Sequence, residues 1–241
     1  MKKRGYLPAQ HGAWAMLVIP FLFGMFASKP VWLHALLFLG WLLVYLFSYP
    51  FLQWLRTKKK KMYVRPMQLY GGLLIPTGVL LLVLEPALAR WVPLFIPLFL
   101  VNGYYASRNR ERALLNDLAA VVQFSLMVFV AYQAGGGTDW MLAAELFGLS
   151  VLYFAGTVLY VKTMIREKHN RKYYALSVGY HLALLAAGAL WFPHWLLLPL
   201  AVLLVRAVWS PRTQLTVKQT GMLEFVYSAL FACTVLFIYT G

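Results

Sequence analysis

The stretch FLQWLRTKKKKMYVRPMQ, residues 51–68, places six cations within ten positions: Arg56, Lys58, Lys59, Lys60, Lys61 and Arg65. Strongly apolar chain lies on both sides, from Trp32 to Phe47 and from Leu69 to Leu84. A basic block framed in this way has two candidate negative partners. One is the headgroup layer of a membrane, and the other is the phosphate of a bound ligand.

Composition sets the class. Of 241 residues, 62% are hydrophobic and only 12% are charged, and the mean hydropathy is +0.68. A soluble globular domain carries about twice that charged fraction. Runs such as His194–Val205 leave almost nothing polar to face water. The chain therefore reads as an all-α polytopic membrane protein, since only helices or closed barrels satisfy their backbone in lipid. Residues 1–241 read as one integral-membrane helical domain, with no soluble domain or long linker. The net charge of +15 would suggest nucleic acid in a soluble protein. Here the cations fall between apolar segments, so membrane orientation explains them and no nucleic-acid partner is expected. A lone Cys233 excludes an internal disulfide. Lys2, Lys3 and Arg4 before an apolar stretch imitate a signal peptide, but Gln10, His11 and Gly12 interrupt the pattern, so a retained helix is expected.

Nine apolar segments can be drawn, at residues 13–28, 31–54, 67–84, 91–105, 114–134, 140–161, 174–192, 195–209 and 220–239. Most approach the roughly 20 residues that cross a hydrocarbon core. Pro20, Pro50, Pro76, Pro97 and Pro199 fall inside them, which membrane helices tolerate where neighbours take up the freed carbonyls. Threading the segments through a bilayer puts 19 of the 22 cations on one side. They are Lys2, Lys3 and Arg4, the opening block, Arg108, Arg110 and Arg112, Lys162, Arg166, Lys168, Arg171 and Lys172, and finally Arg212 and Lys218. Lys29 and Arg90 fall on the other side, and Arg206 lies within the eighth segment. This asymmetry implies the cytoplasmic membrane, a cytoplasmic N-terminus and an extracytoplasmic C-terminus.

Four stretches, in order, resemble the intramembrane prenyltransferase superfamily with the UbiA fold. They are PAQHGAWAMLVIPFLFGM (8–25), YPFLQWLRTKKKKMYVRPMQLYG (49–71), NGYYASRNRERALLNDLAAVVQFSL (102–126) and LYFAGTVLYVKTMIREKHNRKYYALSVGYH (152–181). HGAWAM and the Tyr49-Pro50 pair are also similar to the YwiC-like group of bacterial membrane proteins. The first resemblance implies a nine-helix UbiA-like bundle with a cavity open to the cytoplasm or inner leaflet. The superfamily's two aspartate-rich motifs hold Mg²⁺ against a prenyl diphosphate. At the first motif position this chain has Ser48, Tyr49, Gln53 and Arg56, and at the second Lys162 and Arg166, with Glu167 the nearest acid. Only seven acids occur in the whole chain. Ordinary Mg²⁺-dependent prenyl transfer is not expected, nor is any metal or cofactor.

The replacement residues suggest direct binding of an anionic head. Lys162 and Arg166 are spaced i, i+4, so on one helix they share a face. With Arg56, Lys58, Arg65, Arg108 and Arg112 they could hold a phosphate without metal, Arg supplying the bidentate fork. Lys59, Lys60 and Lys61 read as mid-loop charges facing lipid. His11 could act as an acid or base, or bond a substrate headgroup. Asn102 and Tyr105 close the fourth segment, Asn116 and Asp117 open the fifth, and the four are expected to face each other at a cavity mouth. Arg206 and Glu224 read as a simple pair, and His181, two turns into its segment, needs an interhelical partner. The partners expected are membrane lipids and an amphipathic ligand with an anionic head: an isoprenoid phosphate, a quinone precursor or a phospholipid. The function that follows is a ligand-binding protein or a metal-independent transferase. A lipid carrier or flippase, or an accessory subunit, are the competing readings.

A cysteine introduced at Lys60 in a Cys233→Ser background is expected to react with a membrane-impermeant thiol reagent only after the cytoplasmic face is exposed. Ready labelling of intact cells would reverse the topology.

Overall fold

The computed structural model describes Tyr6 and residues 11–57, 60–213 and 215–240, leaving aside the side chains of residues 11, 60 and 61. All regular structure among these residues is helical. The helices are α1 (His11–Ala27), α2 (Leu33–Thr57), α3 (Lys60–Leu84), α4 (Val92–Ser107), α5 (Leu114–Ser125), α6 (Met127–Ala134), α7 (Trp140–Ile165), α8 (Arg171–Trp191), α9 (Leu197–Trp209) and α10 (Val217–Thr240). Short 3₁₀ turns at Pro86–Trp91, His194–Leu196 and Ser210–Arg212 join some of them. Eight helical stretches are long and apolar enough to cross a membrane, with α5 and α6 together making one of them. The 17-residue α1 is the shorter ninth, at about 26 Å.

The nine segments stand where the apolar runs placed them, but helices outlast the runs on the basic side. Helix α2 continues to Thr57, α7 continues to Ile165, and α3 begins at Lys60. Lys60 and Lys61, expected in mid-loop, therefore start a helix, while Lys58 and Lys59 lie outside the described residues. Hydropathy measures the thickness of the hydrocarbon and not the length of the helix. Lysine and arginine are good helix formers, so the helix runs on into the headgroup layer.

The described residues divide into two compact units, one of Tyr6 and residues 20–147, the other of 11–19 and 148–240. In the first, α2 packs against both α3 and α4, and α4 against α5. Several of its interior polar groups are neutral and bonded across the unit. His34 Nε2 donates to Ala131 O at 2.9 Å while its Nδ1 accepts from Val31 N–H at 3.0 Å. A carbonyl cannot donate, so this ring carries its proton on Nε2. Trp91 Nε1 donates to Gln133 Oε1 at 2.6 Å, and Asn102 Nδ2 donates to Gln123 Oε1 at 3.1 Å. The α5–α6 span breaks at Leu126, where Phe129 N–H bonds back three residues to Leu126 O, a locally tightened turn.

Gly24 of α1 lies against α6 so closely that a Cβ would strike Val128 O, Tyr132 N and the Ala131 side chain. Two of those atoms are backbone and cannot move aside. Gly24→Val is expected to cost about 1–3 kcal/mol by overpacking, read as a lowered thermal midpoint of the purified protein. An unchanged midpoint would show that α1 does not approach α6 in this way.

Candidate functional site

The second unit holds the most deeply buried charge among the described residues. Arg206 is the largest fully buried side chain among the described residues, at 2% exposure. It sits in the last turn of α9, the helix that leads to the Arg212 and Lys218 link. A helical side chain leans toward its helix N-terminus, which here points away from that link and into the membrane. Snorkelling to the near surface is therefore the disfavoured direction, and the guanidinium finds its partners inside.

Each neighbouring helix supplies one. From α10, Glu224 accepts from Arg206 Nη1 through both carboxylate oxygens, at 3.1 and 2.8 Å. From α8, His181 Nε2 lies 3.3 Å from Arg206 Nη2. His181 Nδ1 is 2.7 Å from Ser177 O, which can only accept, so Nδ1 carries the ring proton and Nε2 is left as an acceptor for the guanidinium. From α7, the Tyr160 ring lies under the cation at 4.3 Å, and Tyr227 of α10 flanks it at 5.2 Å. Arg206 Nε has no hydrogen-bond partner among the described residues. One turn beyond, Tyr153 OH and Ser228 Oγ meet at 2.9 Å, and the Tyr153 ring stacks on Phe231 at 4.3 Å. The close fit of α7 on α8 depends on Gly156, where a Cβ would stand 3.0 Å from the Tyr180 ring and 3.2 Å from His181 Nε2.

The residues singled out from the sequence are arranged differently. Lys162 is buried in α7, but Arg166 lies beyond the end of the helix at Ile165 and is exposed. Arg166 N–H still bonds to Lys162 O at 3.0 Å, and Glu167 N–H bonds to the same oxygen at 2.7 Å as the helix closes. Arg65 is exposed on α3. Arg56 is engaged by Glu111 at 3.0 Å, and the exposed Arg112 lies 3.9 Å from the same oxygen. Asn116 donates to Glu111 O at 2.7 Å. Asn102 turns to Leu98 O and Gln123 instead of facing Asn116, because helix-end amides are satisfied on the nearest free acceptor. Arg108 is exposed over the Tyr104 ring at 5.6 Å, and Tyr105 packs edge-on against Tyr104. Tyr49 and Gln53 are half-buried on α2, and Asp117 sits in the first turn of α5. His11 opens α1, with its side chain outside the described residues.

Helical spans of this length and polarity, with an ion pair buried among them, define a polytopic α-helical membrane protein. The chain belongs to the YwiC-like protein family, which matches residues 7–132. It is similar to the uncharacterized protein YwiC of Bacillus subtilis (strain 168), 42% identical over 232 residues that span 95% of each chain. It is also similar to an uncharacterized protein of Haemophilus influenzae, 34% identical over 226 residues, 92% of this chain and 93% of the other. No solved structure matches it.

Removing one member of a buried pair leaves the other charge uncompensated. Arg206→Ala is expected to lose about 3–5 kcal/mol of stability, while Arg206→Met combined with Glu224→Leu regains most of it. Thermal unfolding in a neutral detergent measures both. Equal losses from the single and double variants would show that the two residues are not paired.

Proposed function

We propose that this protein is a UbiA-like cytoplasmic-membrane protein that binds an amphipathic ligand through an anionic head, from its basic, cytoplasmic side. The observation that carries the reading is Arg206, a permanent cation held inside an apolar helix with its Nε still unpartnered. An ionisable residue at such depth is costly, and its commonest use is in a ligand or ion path.

Two kinds of cation then have separate roles. Arg65, Arg108, Arg112 and Arg166 are exposed at helix ends. They gather anionic headgroups at about 1 kcal/mol each. Lys162 and Arg206 are buried in the second unit and select the head that leaves the surface layer. A charge-assisted bond there contributes about 1.5–3 kcal/mol. The apolar spans accept the tail.

The test is ligand-induced thermal stabilisation of the purified protein, with farnesyl diphosphate and neutral farnesol as probes. Farnesyl diphosphate is expected to raise the midpoint and farnesol to leave it unchanged. Arg206→Lys keeps the charge but loses the fork, and should weaken the response about tenfold or more. Lys59→Ala, Lys60→Ala and Lys61→Ala together should reduce it much less. Equal stabilisation by both probes would leave only membrane orientation for these charges.

A further inference from the structure

The two members of the buried pair differ in one respect. The Arg206 side chain has no accessible surface, whereas Glu224 keeps 7% of its own. Glu224 lines a small recess within the second unit. Thr157 of α7 and Ser228 of α10 share its walls, and the remaining side chains are apolar, Phe154 and Phe225 being the largest. At about 10 Å³ the recess is at the lower bound of a space that holds one water, and it is far too small for a lipid head.

Thr157 is the unusual member of this wall. A helical threonine commonly returns its hydroxyl to a carbonyl one turn back. Thr77, Thr163, Thr220, Thr234 and Thr240 all do so, at 2.7–3.1 Å. Thr157 does not. Its Oγ1 is enclosed and has no hydrogen-bond partner among the described residues. The Tyr153 hydroxyl is close by but is joined to Ser228 Oγ at 2.9 Å.

The recess thus brings together an unpartnered hydroxyl, a second hydroxyl and a carboxylate. Each Glu224 oxygen accepts one bond from Arg206 Nη1 and has capacity for another. Three polar partners in a space of this size are what an enclosed water requires. Oxygens alone would also suit a sodium ion, but the guanidinium lies 2.8 Å from the same carboxylate and already neutralises it. A second cation would leave a net buried charge, which a low dielectric penalises heavily. A neutral occupant fits the charge as well as the volume.

We propose that this recess is a water-binding site, in which one water accepts from Thr157 Oγ1 and donates to the Glu224 carboxylate and to Ser228 Oγ. Only solvent is needed to fill it, so the site stands whether or not an anionic ligand binds elsewhere. The water adds a hydrogen-bonded link from α7 to the ion pair, beside the face of the Tyr160 ring. It also gives Glu224 a neighbour able to exchange protons, which the guanidinium is not.

Thr157→Val tests the site by the sign of its effect. Valine keeps the shape of threonine and loses the hydroxyl. With the water in place, the change removes its anchor and leaves it short of partners. The thermal midpoint of the purified full-length protein in neutral detergent is then expected to fall, and Thr157→Ser, which keeps the hydroxyl, should lower it less. A buried hydroxyl with no partner instead costs its own desolvation. A midpoint unchanged or raised by Thr157→Val would therefore overturn the site. A structure of the full-length protein at a resolution that shows ordered water should carry one density peak at about 2.5–3.0 Å from both Thr157 Oγ1 and a Glu224 oxygen. That peak should be lost in Thr157→Val. No peak in the wild-type protein would overturn the site even if the midpoints agreed. The wild-type midpoint should also be equal in sodium chloride and in choline chloride at the same ionic strength. A rise specific to sodium would overturn water as the occupant in favour of a cation.

Discussion

A guanidinium cannot give up its proton in a protein, so an arginine inside an apolar helix must be matched where it stands. Arg206 imposes that requirement on the second unit, and four helices answer it. Helix α9 supplies the cation, α10 the carboxylate, α8 a neutral imidazole acceptor and α7 an aromatic face. Each is a different chemical way of holding positive charge away from water. Together they fix the rotation of every helix around the pair, because turning any one would leave a buried polar atom orphaned. Gly156 follows from the same demand, since α8 must approach α7 closely enough to bring His181 to the guanidinium.

The first unit solves its polar problem without charge. His34, Trp91, Asn102 and Gln133 make neutral bonds between helices or to backbone carbonyls. Its described ion pairs, of Arg56 and Arg112 with Glu111, lie at a helix end and in the link after α4, where both arginines are exposed or partly so. Neutral bonds of this kind contribute about 1 kcal/mol each in membrane proteins and hold a scaffold steadily. A buried ion pair is a weaker route to stability, because well-packed apolar residues of similar size often serve as well or better. In the second unit the buried pair instead ties α9 to α10.

The sequence discloses some of this and conceals the rest for physical reasons. Nine apolar runs are legible because lipid demands continuous hydrophobicity, and every one is a helix or a pair of helices. The helix ends on the basic side are not legible from hydropathy, since Lys60 and Lys61 continue a helix that the bilayer no longer requires. Arg206 and Glu224 stand out as ionisable residues in the last two spans, and they do pair. His181 announces that it needs a partner, but its tautomer and its link to Arg206 depend on helix rotation. Tyr153, Tyr160 and Tyr227 are hidden among many interfacial tyrosines, where composition suggests only an aromatic belt. Lys162 and Arg166 are legible as an i, i+4 pair, and the structure adds that the first is buried and the second exposed where α7 ends.

Side-chain direction ties these strands together. Arg166 and Arg206 both lie near helix C-termini at the basic side, yet one is exposed and the other buried. Arg166 follows the last residue of α7, and its side chain is exposed. Arg206 is still inside α9, where the lean toward the N-terminus carries its guanidinium down toward Glu224 and His181. A difference of a few residues relative to the helix end thus separates a charge that meets the bilayer surface from one held in its interior. In a membrane protein this basic, cation counts say which side faces the cytoplasm. Which cation is buried follows from where it stands relative to the end of its helix.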